Sequence, residues 1–265
     1  MNKGLIGIFD SGVGGLTVAD KVEKVLPSAS FVYFGDTKYV PYGARPAEEV
    51  VALITKICRH LVDTQVEVIV MACNTSSALA LGPVRSWCPV PVIGIIEAAA
   101  KAAVGISKNG NIGVIANKLT ASSGAYERAA AAAFASIGGI EPHVYPMGCP
   151  KLVPLVEAGN VSGPEAYAAL NEYLTPLQEK NIDTLILGCT HYPFLRPAIE
   201  KILGPSVTVV DPADYVAAEL EEMGWGNDGT IGEKRYQASG DGQDFSRVAS
   251  ELLGKVIPVA EHIEL

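Results

Sequence analysis

Two stretches of the chain, "VMACNTSSA" at 70–78 and "LGCTHYPFL" at 187–195, each end a short apolar run in a cysteine, and a threonine follows within two residues. Cys73 and Cys189 are therefore predicted at the ends of buried strands, where loops bind ligands. Asn74, Thr75, Ser76 and Ser77 read as a cap-rich helix start behind Cys73. A helix N-terminus offers free N–H groups and a positive partial charge, which favours a thiolate and binds carboxylates. Cys189 is expected to have the same geometry, with His191 two residues on and Pro193 suited to a first helical turn. Two thiols can do what one cannot. Inverting a stereocentre needs a proton to leave one face and another to arrive on the opposite face. A thiol is only a few per cent thiolate at neutral pH, so one member needs a helix end or His191 to hold its base form. The other must stay protonated, which a neighbour such as Asp10 would encourage. A single-thiol alternative, Cys189 with His191 in nucleophilic hydrolysis, uses the same residues differently.

The remaining cysteines read as structural. Cys58 falls on the apolar stripe of a helix, Cys88 lies in the turn "WCPVP", and Cys149 precedes Pro150. The stretch "IFDSGVGGLTV" puts Asp10 and Ser11 just after the first strand, with Gly12, Gly14 and Gly15 allowing close approach of a ligand. It lacks the G-x-G-x-x-G spacing, because Thr17 stands at the final position, and no Walker-type loop occurs. "GDTKYVPYG" at 35–43 is a loop carrying Tyr42 and Gly43.

The elements that must position these groups alternate. Runs at 4–9, 30–35, 66–73, 90–96, 111–116, 183–189 and 206–211 are continuous and apolar, as strands buried on both faces are. Helical patterns lie between them, including Val50, Ile54, Ile57 and Leu61 on one face and the alanine-rich 125–138. This is a parallel α/β architecture, and the repeated strand–Cys–Thr pattern fits two similar halves. If the halves face one another, one cleft holds both thiols.

Composition narrows the class of function. The chain has 265 residues, 49% of them hydrophobic, and a formal net charge of −9, with acids and bases interspersed. It lacks the basic footprint of a nucleic-acid binder. Five cysteines, an odd number without a C-x-x-C pair, and four histidines argue for reduced thiols in a cytoplasm and against a structural zinc site. "MNKGLIGIFDSGVGG" does not read as a leader, and Val92 to Ile106, interrupted by Glu97 and Lys101, is too short for a membrane span.

At "IGIFDSGVGGLTV", "YFGDTKYVPYG", "ACNTSSA", "CPKLVPLVE", "LGCTHYPFL" and "SGDGQDF" the chain closely resembles the glutamate racemases of the cofactor-independent aspartate/glutamate racemase family. The resemblance runs over nearly the whole length. It implies an α/β fold of two pseudo-symmetric three-layer domains with mainly parallel sheets and the active site in the cleft between them. The domains are expected at 1–97 plus 210–265, carrying Cys73, and at 98–209, carrying Cys189. It implies interconversion of L- and D-glutamate with no cofactor or metal, supplying D-glutamate for peptidoglycan, in a cytoplasmic homodimer. By the same resemblance Cys73 and Cys189 are the catalytic acid–bases, assisted by Asp10, Glu157 and His191. Asp10, Ser11, Tyr42, Gly43, Asn74, Thr75, Thr120, Thr190 and His191 match substrate-binding positions. In the family, the counterpart of Cys73 deprotonates the D-isomer and that of Cys189 the L-isomer.

The chain departs from the family pattern at Asn117, where a threonine is usual, and at 95–100, where Pro-Gly often follows the glutamate. Since some glutamate racemases inhibit DNA gyrase, a regulatory binding role is a third reading beside racemisation and hydrolysis. The acidic, unclustered charge gives no support for direct contact with DNA.

Overall fold

A computed structural model of the chain describes residues 4–226 and 231–265. Met1, Asn2 and Lys3, which open the stretch read for a leader, lie outside the described residues. The chain divides into two compact units, Met1–Ile95 with Ala213–Leu265, and Ile96–Pro212.

The first unit opens with β1 (Leu5–Asp10), α1 (Leu16–Val25), β2 (Ser30–Gly35), α2 (Ala47–Asp63), β3 (Val66–Met71), α3 (Asn74–Arg85) and β4 (Val92–Gly94). The chain passes along α4 (Ile95–Ile106) into the second unit. There it forms β5 (Asn111–Ala116), α5 (Lys118–Ser122), α6 (Ala125–Ile137), β6 (His143–Gly148), α7 (Leu152–Glu157) and α8 (Pro164–Gln178). That unit continues through β7 (Thr184–Gly188), α9 (Arg196–Leu203) and β8 (Thr208–Val210). Helix α10 (Pro212–Glu222) leads back to the first unit, which is completed by β9 (Lys234–Ala238), α11 (Gly242–Leu253) and β10 (Glu261–His262).

Each unit is built on its own sheet, ordered β10-β9-β2-β1-β3-β4 in the first and β6-β5-β7-β8 in the second. Every pairing among the described strands is parallel. The central strands are almost wholly buried, because helices between successive parallel strands cover both sheet faces. The expected parallel α/β fold is thus observed. The amphipathic α2 turns Val50, Ile54, Ile57, Cys58 and Leu61 inward, in one core with Ile69 and Met71 of β3 and Ala80, Leu81 and Val84 of α3.

Three strands have no counterpart in the apolar-run reading. β6 contains Pro146 and is only partly buried, β9 reads "KRYQA", and β10 has two residues. β6 and β9 are recruited by pairing with the apolar β5 and β2 rather than by their own pattern, and β10 pairs in turn with β9. The apolar stretch 92–106 divides into β4 and α4, and among the described residues no helix is long and apolar enough to cross a membrane.

Candidate active site

In the first unit the groups gather where β1 and β3 end. β1 finishes at Asp10, whose carboxylate Oδ2 accepts from the Gly12 N–H at 3.0 Å. It does not cap α1; Gly15 holds that position. Tyr33, wholly buried on β2, donates its hydroxyl to the Gly12 carbonyl at 3.0 Å, so Gly12 is held through both its N–H and its carbonyl. Beyond β3, Cys73 occupies the N-cap of α3 with extended backbone (φ −73, ψ 124) and caps nothing with its own side chain. The Cys73 thiol instead donates to Ser11 Oγ at 3.6 Å. Asn74, Thr75, Ser76 and Ser77 follow as the first turn of α3, all buried.

Burial pushes the Cys73 thiol up from its ordinary value, and the Asp10 carboxylate adds to that. The neighbouring Ser76 and Ser11 groups pull the other way. Cys73 is thus held as a thiol with thiolate-stabilising donors already in place.

Tyr42 stands in a short 3₁₀ turn, Tyr42–Ala44, and is buried rather than a surface turn aromatic. Its hydroxyl donates to Asp36 Oδ2 at 2.5 Å, and Ser239 donates to Asp36 Oδ1 at 2.5 Å. Burial raises the Asp36 carboxyl, with those two donors opposing it. Asp36 fastens the loop after β2 to Ser239, the residue that follows β9 late in the chain. The neighbouring Gly43 is exposed.

In the second unit β7 ends at Gly188 and Cys189 follows at once. Here the expected likeness to Cys73 fails. Cys189 leads into a turn and a 3₁₀ segment, Tyr192–Leu195, and α9 begins only at Arg196. Pro193 and Pro197 account for this, since each takes a first-turn position of its own segment and neither can donate an N–H within one continuous helix. Cys189 therefore relies on side chains. Its Sγ lies 3.8 Å from His191 Nδ1, and His191 Nε2 lies 3.5 Å from Glu157 Oε1 at the end of α7. The His191 imidazole is the leading influence on the Glu157 carboxyl and holds it below the usual range, outweighing burial. The imidazole is thus set between a thiol and a carboxylate.

Thr190 and Thr120 are buried in the same unit. Asn117 is the N-cap of α5, its Oδ1 accepting from the Thr120 N–H at 2.9 Å, so the residue unusual for the family serves as a helix cap. Cys149 is buried and donates to the Met147 carbonyl at 3.3 Å; desolvation pushes its thiol up to about 12.

The structure thus gathers Asp10, Ser11, Cys73, Asn74 and Thr75 in the first unit, and Glu157, His191, Cys189 and Thr190 in the second. Sequence reasoning missed Tyr33 and Asp36, which hold the loops, and the part played by Ser76. Ser76 had a signal in the Cys-Asn-Thr-Ser run, whereas Tyr33 sits inside an ordinary apolar strand and carried none. Among the described residues no group of three or more His, Cys, Asp or Glu is arranged to hold a metal ion.

The Asp/Glu/Hydantoin racemase family model matches residues 17–220. The chain is 46% identical over 266 aligned residues to the glutamate racemase of Desulforudis audaxviator (strain MP104C), covering 96% of each chain. It superimposes on a crystal structure of a glutamate racemase isoform from Bacillus anthracis with a TM-score of 0.91 and 35% identity, covering 100% of this chain and 99% of that one. A glutamate racemase from Francisella tularensis subsp. tularensis SCHU S4, solved in complex with D-glutamate, gives a TM-score of 0.87 and 31% identity over 100% and 98% of the two chains.

Proposed function

The chain belongs to the Asp/Glu/Hydantoin racemase family, and from that premise we propose that it interconverts L- and D-glutamate by two-base proton transfer between Cys73 and Cys189. The observation that carries the mechanism is that each unit ends a parallel strand beside a thiol with its own set of partners. Full-length likeness to glutamate racemases supports glutamate as the substrate.

In this reading one cysteine, as thiolate, takes the α-proton from one face while the other, as thiol, delivers a proton to the opposite face. No net proton is consumed, and the reverse turnover exchanges the roles. In the D-to-L direction Cys73 is the base. The hydroxyl groups of Ser11 and Ser76 favour its thiolate, while the Asp10 carboxylate favours the thiol that it becomes on taking the α-proton. In the L-to-D direction Cys189 is the base, its proton passing toward His191, whose cationic form Glu157 supports. The N-terminal turn of α3 presents N–H groups suited to a substrate carboxylate, with Asn74 and Thr75 as its polar side chains. Ser11, Tyr42, Gly43, Thr120, Thr190 and His191 complete the proposed contacts. The cellular role is supply of D-glutamate to peptidoglycan by a cytoplasmic homodimer, without a cofactor.

A second reading draws on one observation: Cys189, His191 and Glu157 stand in the order of a hydrolytic thiol, its base and an orienting acid. It leaves Cys73 without a task. Incubation of the purified protein with L-glutamate in deuterated water, following optical rotation and α-proton exchange together, separates the two. Racemisation with deuterium in the product is expected. A folded protein with reduced thiols that catalyses neither process, on L-glutamate or L-aspartate, overturns the proposal.

A further inference from the structure

The residue after His191 closes a ring that the proposed chemistry does not use. Tyr192 is wholly buried in the 3₁₀ turn, and its hydroxyl donates to the Cys149 carbonyl at 3.2 Å. That carbonyl also accepts from the Leu152 N–H at 3.3 Å, the first residue of α7. Cys149 is fixed in turn to the sheet, its N–H donating to the Ala116 carbonyl at 2.7 Å. From this anchor α7 runs to Glu157, which meets His191, the covalent neighbour of Tyr192.

Helix α7 needs such an anchor. It has six residues, one of them Pro154, far fewer than a helix requires to hold itself in water. At 1.5 Å per residue it is roughly 9 Å long, so a tilt of about 10° at its start carries its far end roughly 1.6 Å. Glu157 lies 3.5 Å from His191 and its side chain is 58% exposed, so little else around the carboxylate opposes such a movement. Leu152, Leu155 and Val156 bury the inner face of the helix, but apolar packing is non-directional, and the hydrogen bond at its first peptide adds the orientation that packing does not.

We propose that Tyr192 is a positioning residue, whose hydroxyl fixes the start of α7 so that Glu157 meets His191 beside Cys189. The inference rests on the proposed racemase mechanism for its catalytic meaning, while the brace itself is a property of the second unit.

The test uses the full chain carrying Tyr192→Phe, which keeps the ring in the core and removes only the donor. The first readout is the titration of the Glu157 carboxyl, followed by carbon NMR of glutamate-labelled protein and assigned by its loss in Glu157→Gln. The midpoint, below the usual range in the unsubstituted protein, is expected to rise toward the ordinary value in Tyr192→Phe. In a His191→Gln background the same substitution should move it no further. Tyr145→Phe, which removes a hydroxyl bonded to Asn111 Oδ1 in the same unit, should leave it in place. The second readout is turnover, expected to fall about five-fold in kcat, the worth of one hydrogen bond. A Glu157 midpoint unchanged in folded Tyr192→Phe, or shifted equally with and without His191, overturns the brace. If the unsubstituted protein does not racemise glutamate, the functional reading fails on its own, and the titration still decides the brace.

Discussion

Asp10 and Gly15 are packed so closely that a Cβ built on Gly15 would stand 2.4 Å from the Asp10 Cβ and 3.0 Å from the Tyr33 hydroxyl oxygen. Gly15 has ordinary helical dihedrals, φ −63 and ψ −9, so the glycine serves proximity and not conformational freedom. Gly15→Ala is expected to displace Asp10 from Gly12 and Cys73, costing about 1–3 kcal/mol of stability as overpacking does. Turnover should fall more steeply than thermal stability; a variant with normal turnover shows that Asp10 is not required where it stands.

Cys73→Ala should abolish racemisation and leave the fold intact. Cys58→Ala, in the core beneath it, should lose roughly 1 kcal/mol of stability with turnover kept, as a small buried group does when truncated. Optical rotation and urea unfolding on the two variants separate these cases. Full racemisation by Cys73→Ala sinks the two-thiol mechanism.

The buried thiols give stability a definite alkaline dependence. Burial moves Cys149 from an ordinary value of 9.0 up to about 12 and raises Cys58 and Cys73 as well. A raised folded value means that the folded chain holds its proton where the unfolded chain has lost it. The contribution is therefore complete below the unfolded value and disappears as pH climbs from about 9 toward 12. Urea midpoints should drop over this range, and Cys149→Ala should flatten the fall. An unchanged slope in that variant refutes the assignment.

Asn117→Ala should cost about 1 kcal/mol through loss of the α5 cap and raise KM by loosening Thr120, whereas Asn117→Thr should recover most of both. Equal behaviour of the two variants, in melting and in KM, counts against a capping role.

The cysteines were legible in the sequence because each follows an apolar run that could only be a buried strand, and Cys58 was separable from them by its place on a helical stripe. The geometry after Cys189 was not, since Pro193 promised a helix start without saying that Pro197 would impose a second one. Glu157 came from family resemblance alone, because its partner His191 is reached only through the packing of α7. Tyr33, Asp36 and Ser239 escaped notice for a related reason. Their hydroxyl and carboxylate contacts join segments far apart in the chain, and no local pattern encodes a contact of that span. β9 is polar by sequence and becomes a strand by lying along β2.

That last pairing has a temporal side. Phe31 on β2 is in register with Lys234 on β9, so the outer edge of a nearly all-apolar strand waits for a partner translated some 200 residues later. At ordinary rates of synthesis the wait is roughly 10 to 40 s. The second unit, contiguous from Ile96 to Pro212, is complete before it ends. A nascent chain stalled near Pro212 therefore carries one finished unit and one open sheet edge, and edges of that kind seed association between chains. Premature termination between Pro212 and Lys234 should accordingly yield aggregates rather than a smaller soluble protein.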